Sequence, residues 1–264
     1  MKTVFGGLIQ KEWIMLKRLI FWIFLLDIVV ITVAPPLVTS FAGRLDTLYD
    51  NTHIIVGVLL VLHIFAGVFI LFESLKREMR TLDMWLHSPT SMVQLVGAKL
   101  TFAVLLALGS LFFSGFLGGI VLYVIKDGTI GVEGKEVLAL VSVVLALSIK
   151  LIFMTATGWF FWSVYKVIKS RLRFFSIPFI LLFIVSALVI WEQLRINGFF
   201  DWLRTIVSVR LTDESFYNEH TSYFFMGFVP DGIAFSVGNL AFYLIISLVL
   251  LMIGSMFFEK KVRV

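Results

Sequence analysis

The sequence predicts an all-α polytopic membrane protein with six transmembrane helices, and three observations carry that reading. The chain is 264 residues long, 60% hydrophobic and only 15% charged, with a mean hydropathy of +1.02, whereas a soluble domain carries about 25% charged residues. Six apolar runs are each long enough to cross about 30 Å of hydrocarbon, which takes roughly 20 helical residues. The Lys and Arg residues between those runs fall unequally on alternate sides of the membrane. The chain therefore reads as one transmembrane domain over 1–264.

The runs lie at about 19–40, 54–73, 100–125, 137–165, 174–194 and 235–258. Backbone polar groups in lipid must bond within their own segment, so each run is expected to be a helix. The period-two alternation that a membrane β-barrel needs is absent. Residues 19–40 follow Lys17-Arg18 as a signal peptide would, and Ser40-Phe41-Ala42 loosely resembles a cleavage site. However, the run exceeds a 7–15-residue h-region and contains Asp27, so we expect it to be retained. With no cysteine, disulfides, thiolate metal sites and Cys nucleophiles are excluded.

Orientation follows from the basic residues. Lys2, Lys11, Lys17, Arg18, Lys76, Arg77, Arg80, Lys99, Lys166, Lys169, Arg171, Arg173, Lys260, Lys261 and Arg263 fall on one side, and Arg44, Lys126, Lys135, Arg195, Arg204 and Arg210 on the other. The positive-inside rule then places both termini in the cytoplasm. The net charge of +5 is scattered between apolar runs, so it is not a nucleic-acid signal.

Between the second and third spans stands a polar segment. Leu75, Met79, Leu82 and Leu86 share one helical face, Lys76, Arg77, Arg80 and Asp83 occupy the others, and Ser88-Pro89 ends the pattern. Taken alone, it reads equally well as an amphipathic connector resting on headgroups. The stretch ESLKREMRTLDMWLHSPTSMVQLVGAKL, residues 73–100, resembles a segment of the type 2 ABC exporter permeases, the six-span membrane subunits of ATP-driven exporters. The features that match are Glu73 closing the second span, Arg80-Thr81-Leu82, the Ser88-Pro89 turn, and Gly97-Ala98-Lys99-Leu100 opening the third span.

The resemblance implies that 74–98 holds a cytoplasmic coupling helix that docks in a cleft of a separate ATP-binding subunit. Arg77, Glu78, Arg80 and Asp83 would fix its register by charge pairing, and Met84, Trp85, Leu86 and His87 would be the buried anchors. Two copies of that cytosolic ATPase, binding ATP and Mg, and a second permease subunit, most simply an identical chain, are the implied partners. The chain itself is expected to hold no cofactor and no metal. Gly131-Val132-Glu133-Gly134-Lys135-Glu136 is its nearest approach to a P-loop, with the wrong glycine spacing and no hydroxyl after the lysine. Hydrolysis is thus expected to be the partner's work.

Two flanking segments fit the same plan. Over 1–18, Leu8, Ile9, Trp13 and Leu16 alternate with Lys11, Glu12, Lys17 and Arg18, the pattern of an interfacial helix; the family has an elbow helix there. Over 195–234 the blocks Phe199-Phe200-Asp201-Trp202 and Tyr223-Phe224-Phe225-Met226-Gly227-Phe228 are too apolar for a free loop and too short to span. Similar exporters carry a re-entrant helical hairpin at this place, which makes Phe199, Phe200, Trp202, Phe224, Phe225 and Phe228 candidates for an extracellular gate.

Ionisable residues inside spans cost roughly 2.5–3.5 kcal/mol at a helix centre. Asp27, Glu73, Lys150 and His63 are therefore the intramembrane polar or pathway candidates, with Asp27 and Lys150 either pairing or lining a pathway, and His63 more in keeping with a hydrogen-bonded packing role. An intramembrane protease is not expected. Ser114-Gly115 lacks the preceding glycine of a rhomboid motif, and His53, His63, His87 and His220 form no His-Glu-x-x-His. An ion-coupled secondary transporter or channel is the rival class, but matched inverted halves are not visible. The 28 Phe residues suit an amphipathic or hydrophobic cargo such as a toxin, an antimicrobial peptide or a drug. The expected setting is the plasma membrane of a bacterial cell.

Overall fold

The computed structural model describes residues 4–42, 48–78, 92–125, 134–204, 208–210 and 234–262. Six of its helical stretches are long and apolar enough to cross a membrane. The spans are α1 (Val4–Ala42), α2 (Leu48–Leu62) continued by α3 (Ala66–Glu78), α4 (Met92–Ile125), α5 (Gly134–Leu172), α6 (Ser176–Ile196) and α8 (Val237–Val262), with α7 (Asp201–Arg204) a single turn between the last two. Six crossings put residues 4 and 262 on one side, here the terminal side, together with the end of α3, the start of α4 and the turn at 173–175.

The first helix departs from expectation. In place of an interfacial helix that turns into a span, α1 runs unbroken for 39 residues, about 58 Å at 1.5 Å per residue. Neither Gly nor Pro occurs between Leu8 and Ala34, so nothing in the sequence interrupts the ladder at the expected elbow. Pro35 and Pro36 fall inside the last turns, where each removes an amide donor. There Thr39 donates to the Pro35 carbonyl at 2.8 Å, and Asn51 Nδ2 donates to Thr39 Oγ1 at 3.1 Å, tying this end of α1 to α2.

The second span is interrupted at its middle. A 3₁₀ turn over His63–Phe65 separates α2 from α3, and the imidazole of His63 bonds the Leu59 carbonyl at this break in the α ladder. Elsewhere hydroxyls within the spans bond back to the carbonyl four residues earlier, as Ser148, Thr155, Ser163 and Ser247 do. This satisfies them where lipid offers no partner.

The core lies among α1, α2–α3, α4 and α5, where Leu16, Ile31, Leu60, Ile70, Leu71, Leu111, Leu147 and Leu151 are wholly buried or nearly so. Small residues set the spacing. At Gly67 of α3 a methyl group would collide with Thr155 Oγ1 of α5, while one turn along α5 a methyl at Gly158 would meet Val68 at 2.8 Å. Backbones this close gain dispersion that larger residues would forbid, the usual logic of helix pairs in lipid. On the far side of α5, α8 packs along its length through Gly254, where a Cβ would stand 2.9 Å from the indole nitrogen of the buried Trp159. Trp159 stacks on Trp162 at 5.4 Å, Phe258 sits against both, and Lys166 lies over the Trp162 ring at 5.1 Å.

The fifth span is peripheral. Most large apolar side chains of α6 are exposed, Ile180 being buried and Ile184, Trp191 and Leu194 half-buried. It ends in a glycine cap: Gly198 has φ +65°, and the Phe199 amide donates to the Leu194 carbonyl at 3.2 Å, the six-to-one bond of a Schellman motif. After α7 comes a feature that the all-α reading did not contain. Strands β1 (Ser208–Arg210) and β2 (Ala234–Ser236) pair antiparallel, with Val209 opposite Phe235. The expected re-entrant hairpin over 195–234 is thus represented by a capped helix end, one helical turn and a short ribbon. Its middle, 211–233, lies outside the described residues.

Candidate functional site

Two polar clusters are buried in the bundle, at different depths. The first sits on the terminal side, at the root of the segment joining spans two and three. Lys99, in the second turn of α4, points its ammonium between α1 and α3 and is 2% exposed. Its Nζ is bonded to Glu12 of α1, lies 3.1 Å from Glu78 Oε2 at the end of α3, and donates to Ser74 Oγ at 2.7 Å. Ser74 in turn donates to Glu12 Oε2 at 2.6 Å. Lys11 reaches Glu78 Oε1 at 2.5 Å from a half-exposed position. Two ammonium groups thus face two carboxylates, and the site is electrically balanced. Burying such charges is tolerable only with this degree of pairing.

Arg77 adds an outer strap. Its Nε donates to Glu73 at 2.9 Å within α3, and its Nη1 donates to the Met15 carbonyl of α1 at 2.7 Å. The N-terminal half of α1 is therefore held on the last turns of α3 and the second turn of α4 by ionic contacts. Of the residues proposed for an ATPase interface, Arg77 and Glu78 take part in these internal contacts. Arg80, Asp83, Met84, Trp85, Leu86 and His87 lie outside the described residues. Glu12, Ser74 and Lys99 were not singled out from the sequence as members of one site.

The second cluster lies deeper. Asp27 of α1 is 1% exposed and His63 5%. Ser110 of α4 donates to Asp27 Oδ2 at 2.8 Å, and His63 Nε2 stands 3.3 Å from the same oxygen. Ser110 Oγ and Ser114 Oγ lie 3.0 and 3.3 Å from that nitrogen. The sequence left Asp27 and Lys150 either pairing or lining a pathway; the hydrogen bonds of Asp27 run to Ser110 and His63. Lys150 is half-buried on α5. Glu73 is ten residues from His63, about 15 Å along the helix, and belongs with the first cluster. Of the four intramembrane candidates, Asp27 and His63 share a site and Glu73 pairs with Arg77. Among the described residues no group of His, Cys, Asp and Glu is arranged to hold a metal ion.

The gate candidates also divide. Phe200 packs on Trp191 of α6 at 6.2 Å and on Phe242 of α8 at 4.9 Å, and Trp191 stacks on Phe153 of α5 at 5.7 Å. This aromatic column joins the turn after α6 to three spans. Phe199 and Trp202 are exposed, and Phe224, Phe225 and Phe228 lie outside the described residues. No protein family, no curated protein and no solved structure matches the chain.

Proposed function

We propose that this chain is the membrane-spanning permease subunit of an ATP-driven exporter of the type 2 ABC class, with both termini in the cytoplasm of a bacterial cell. The observation that carries this reading is the ionic clamp of Glu12, Ser74, Glu78 and Lys99. It grips both ends of the 79–91 segment, through the last residue of α3 and the second turn of α4, and fastens them to α1. A push on that segment from the cytoplasm would move three spans together as a body rather than bend a connector. That is the mechanical property a coupling element requires, and it gives the family-like features of 73–100 a structural purpose.

In this reading a separate cytosolic subunit, in two copies, binds and hydrolyses ATP and docks on 79–91. The apolar faces of α1 and α6 are available to lipid and to a second permease subunit. The Phe153–Trp191–Phe200–Phe242 column supports a path for an amphipathic or hydrophobic cargo such as a peptide or a drug. Its displacement by way of Phe200 would open the side away from the termini.

The test is purification from native membranes in mild detergent. A nucleotide-hydrolysing subunit should accompany the chain, and reversing Arg80 and Asp83 together should release it while membrane insertion stays intact. Unchanged recruitment in that variant would end the coupling assignment. A second reading, an ion-coupled carrier, is favoured by the buried Asp27–His63 pair; cargo movement by the purified chain without any ATPase would select it.

A further inference from the structure

The coupling reading makes no use of the deeper cluster, and its hydrogen-bond geometry fixes something about its chemistry. The Leu59 carbonyl can only accept, and His63 Nδ1 lies 2.7 Å from it, so that nitrogen carries a hydrogen. The other ring nitrogen faces Asp27 Oδ2 at 3.3 Å. With a neutral ring and an ionised carboxylate, two lone pairs would confront each other, and the carboxylate charge would stand within the bundle, 1% exposed, with the Ser110 hydroxyl as its hydrogen-bond donor. Ser110 cannot cure this. It has one proton, and its oxygen lies 2.8 Å from Oδ2 and 3.0 Å from Nε2, so it serves one of them at a time. Ser114, at 3.3 Å from Nε2, offers the nitrogen a donor but leaves the carboxylate charge in place.

We infer that Asp27 and His63 form a buried proton-binding site, holding one proton between Oδ2 and Nε2 that neutralises the pair and seats α1 on α2 and α4. Written as a carboxylic acid beside a neutral imidazole, or as a carboxylate beside an imidazolium, the site carries the same proton and no net charge. The proton belongs to the pair. Moving α1 away from α2 and α4 separates the two groups: a carboxylic acid and a neutral imidazole drawn apart both stay uncharged but lose their hydrogen bond, whereas a carboxylate and an imidazolium drawn apart would each bury a charge. The shared proton therefore favours the seated position of α1, at a 3₁₀ turn where an interrupted helix is readily bent.

Among the described residues, few other charged groups lie around the site. On α5, Lys150 lies half-buried between Val144, which meets Gly115, and Thr155, which meets Gly67. Arg18 on α1, His53 on α2, Glu73 on α3 and Lys99 on α4 are nine to eleven residues away along their helices, about 13–17 Å.

The proton is tested by nitrogen-15 histidine NMR of the full chain in lipid nanodiscs, with His53, His87 and His220 replaced by Gln so that His63 alone reports. From about pH 5 to about pH 8, where an ordinary imidazole changes charge, both ring nitrogens should keep their positions, with Nδ1 protonated throughout. In Asp27→Asn the amide supplies the missing donor, so His63 should be a neutral Nδ1–H ring and equally insensitive to pH. Lys150→Met should leave the parent spectrum unchanged.

A His63 that titrates over this range like a water-exposed imidazole would overturn the proposal. So would a spectrum that shifts when sodium replaces choline, which would mark a cation site, or one that shifts in Lys150→Met, which would mean that α5 balances the charge. Should Asp27→Asn not fold, Ser110→Ala keeps the acid–base pair and must keep the pH-insensitive signal; loss of that insensitivity would equally refute the shared proton.

Discussion

Glu78 and Lys99 stand on either side of the segment that joins the second and third spans, and their side chains meet at 3.1 Å with neither more than 6% exposed. Removing the cation alone should be severe. Lys99→Met leaves Glu12 buried with only the Ser74 hydroxyl, and breaking a buried ion pair on one side typically costs about 3–5 kcal/mol. The double variant Glu12→Gln with Lys99→Met removes both charges of that pair and leaves Lys11 to Glu78. It should recover more than half of the lost thermal stability in detergent or nanodiscs. Equal losses in the single and double variants would mean that the pair is not coupled.

Lys11 gives the contrasting case. It also contacts Glu78, at 2.5 Å, but its side chain is 53% exposed, and exposed ion pairs are worth about 0–1 kcal/mol. Lys11→Ala should therefore shift the melting temperature little, and that shift should shrink further in high salt. A loss comparable with that of Lys99→Met would show that the cluster depends on all four charges equally.

Helix spacing predicts a compensating pair. Gly67→Ala pushes a methyl onto Thr155 Oγ1, whose hydrogen bond to the Leu151 carbonyl fixes its rotamer. Overpacking of this kind costs about 1–3 kcal/mol. Thr155→Ala removes the obstructing oxygen, and the remaining Thr155 Cβ lies at an ordinary 3.4 Å. The double variant should melt higher than Gly67→Ala alone. If it does not, the close approach of α3 and α5 is not what the glycine serves.

These contacts also mark what the sequence could and could not disclose. Span number and helix type were legible because lipid thickness and backbone satisfaction leave few alternatives to long apolar helices. The polar clusters were legible only as single residues. Asp27 and His63 stood out as costly groups inside spans, yet their meeting depends on the register of α1 against α2 and α4, which no local pattern encodes. Lys150 was an equally reasonable partner by charge. Glu12 was less visible still: beside Lys11 and Trp13 it reads as part of an interfacial helix, and only the unbroken course of α1 carries it inward to Lys99. The one available signal was Lys99 itself, a cation opening an apolar span with no acid nearby in sequence. The β-ribbon escaped notice because three-residue strands set no detectable period.

The aromatic column yields a prediction that separates packing from mere hydrophobicity at the turn after α6. Phe200 touches Trp191 and Phe242, whereas Trp202, two residues on, is 71% exposed. Paired aromatic rings contribute about 0.5–1.5 kcal/mol each beyond their buried area. Phe200→Ala should thus lower stability by about 1–3 kcal/mol through its two ring contacts and free the indole of Trp191 from its contacts with Phe200. Trp202→Ala should leave the melting temperature nearly unchanged. The measurement is a melting curve for each variant, with the accessibility of Trp191 read by a soluble fluorescence quencher in a background where the other tryptophans are replaced by Phe. Greater quenching in Phe200→Ala is expected, because the turn held by Gly198 then loses its ring contacts with Trp191 of α6 and Phe242 of α8. If Trp191 stays protected in that variant, the column is held by Phe153 and Phe242 alone, and Phe200 has no part in opening it.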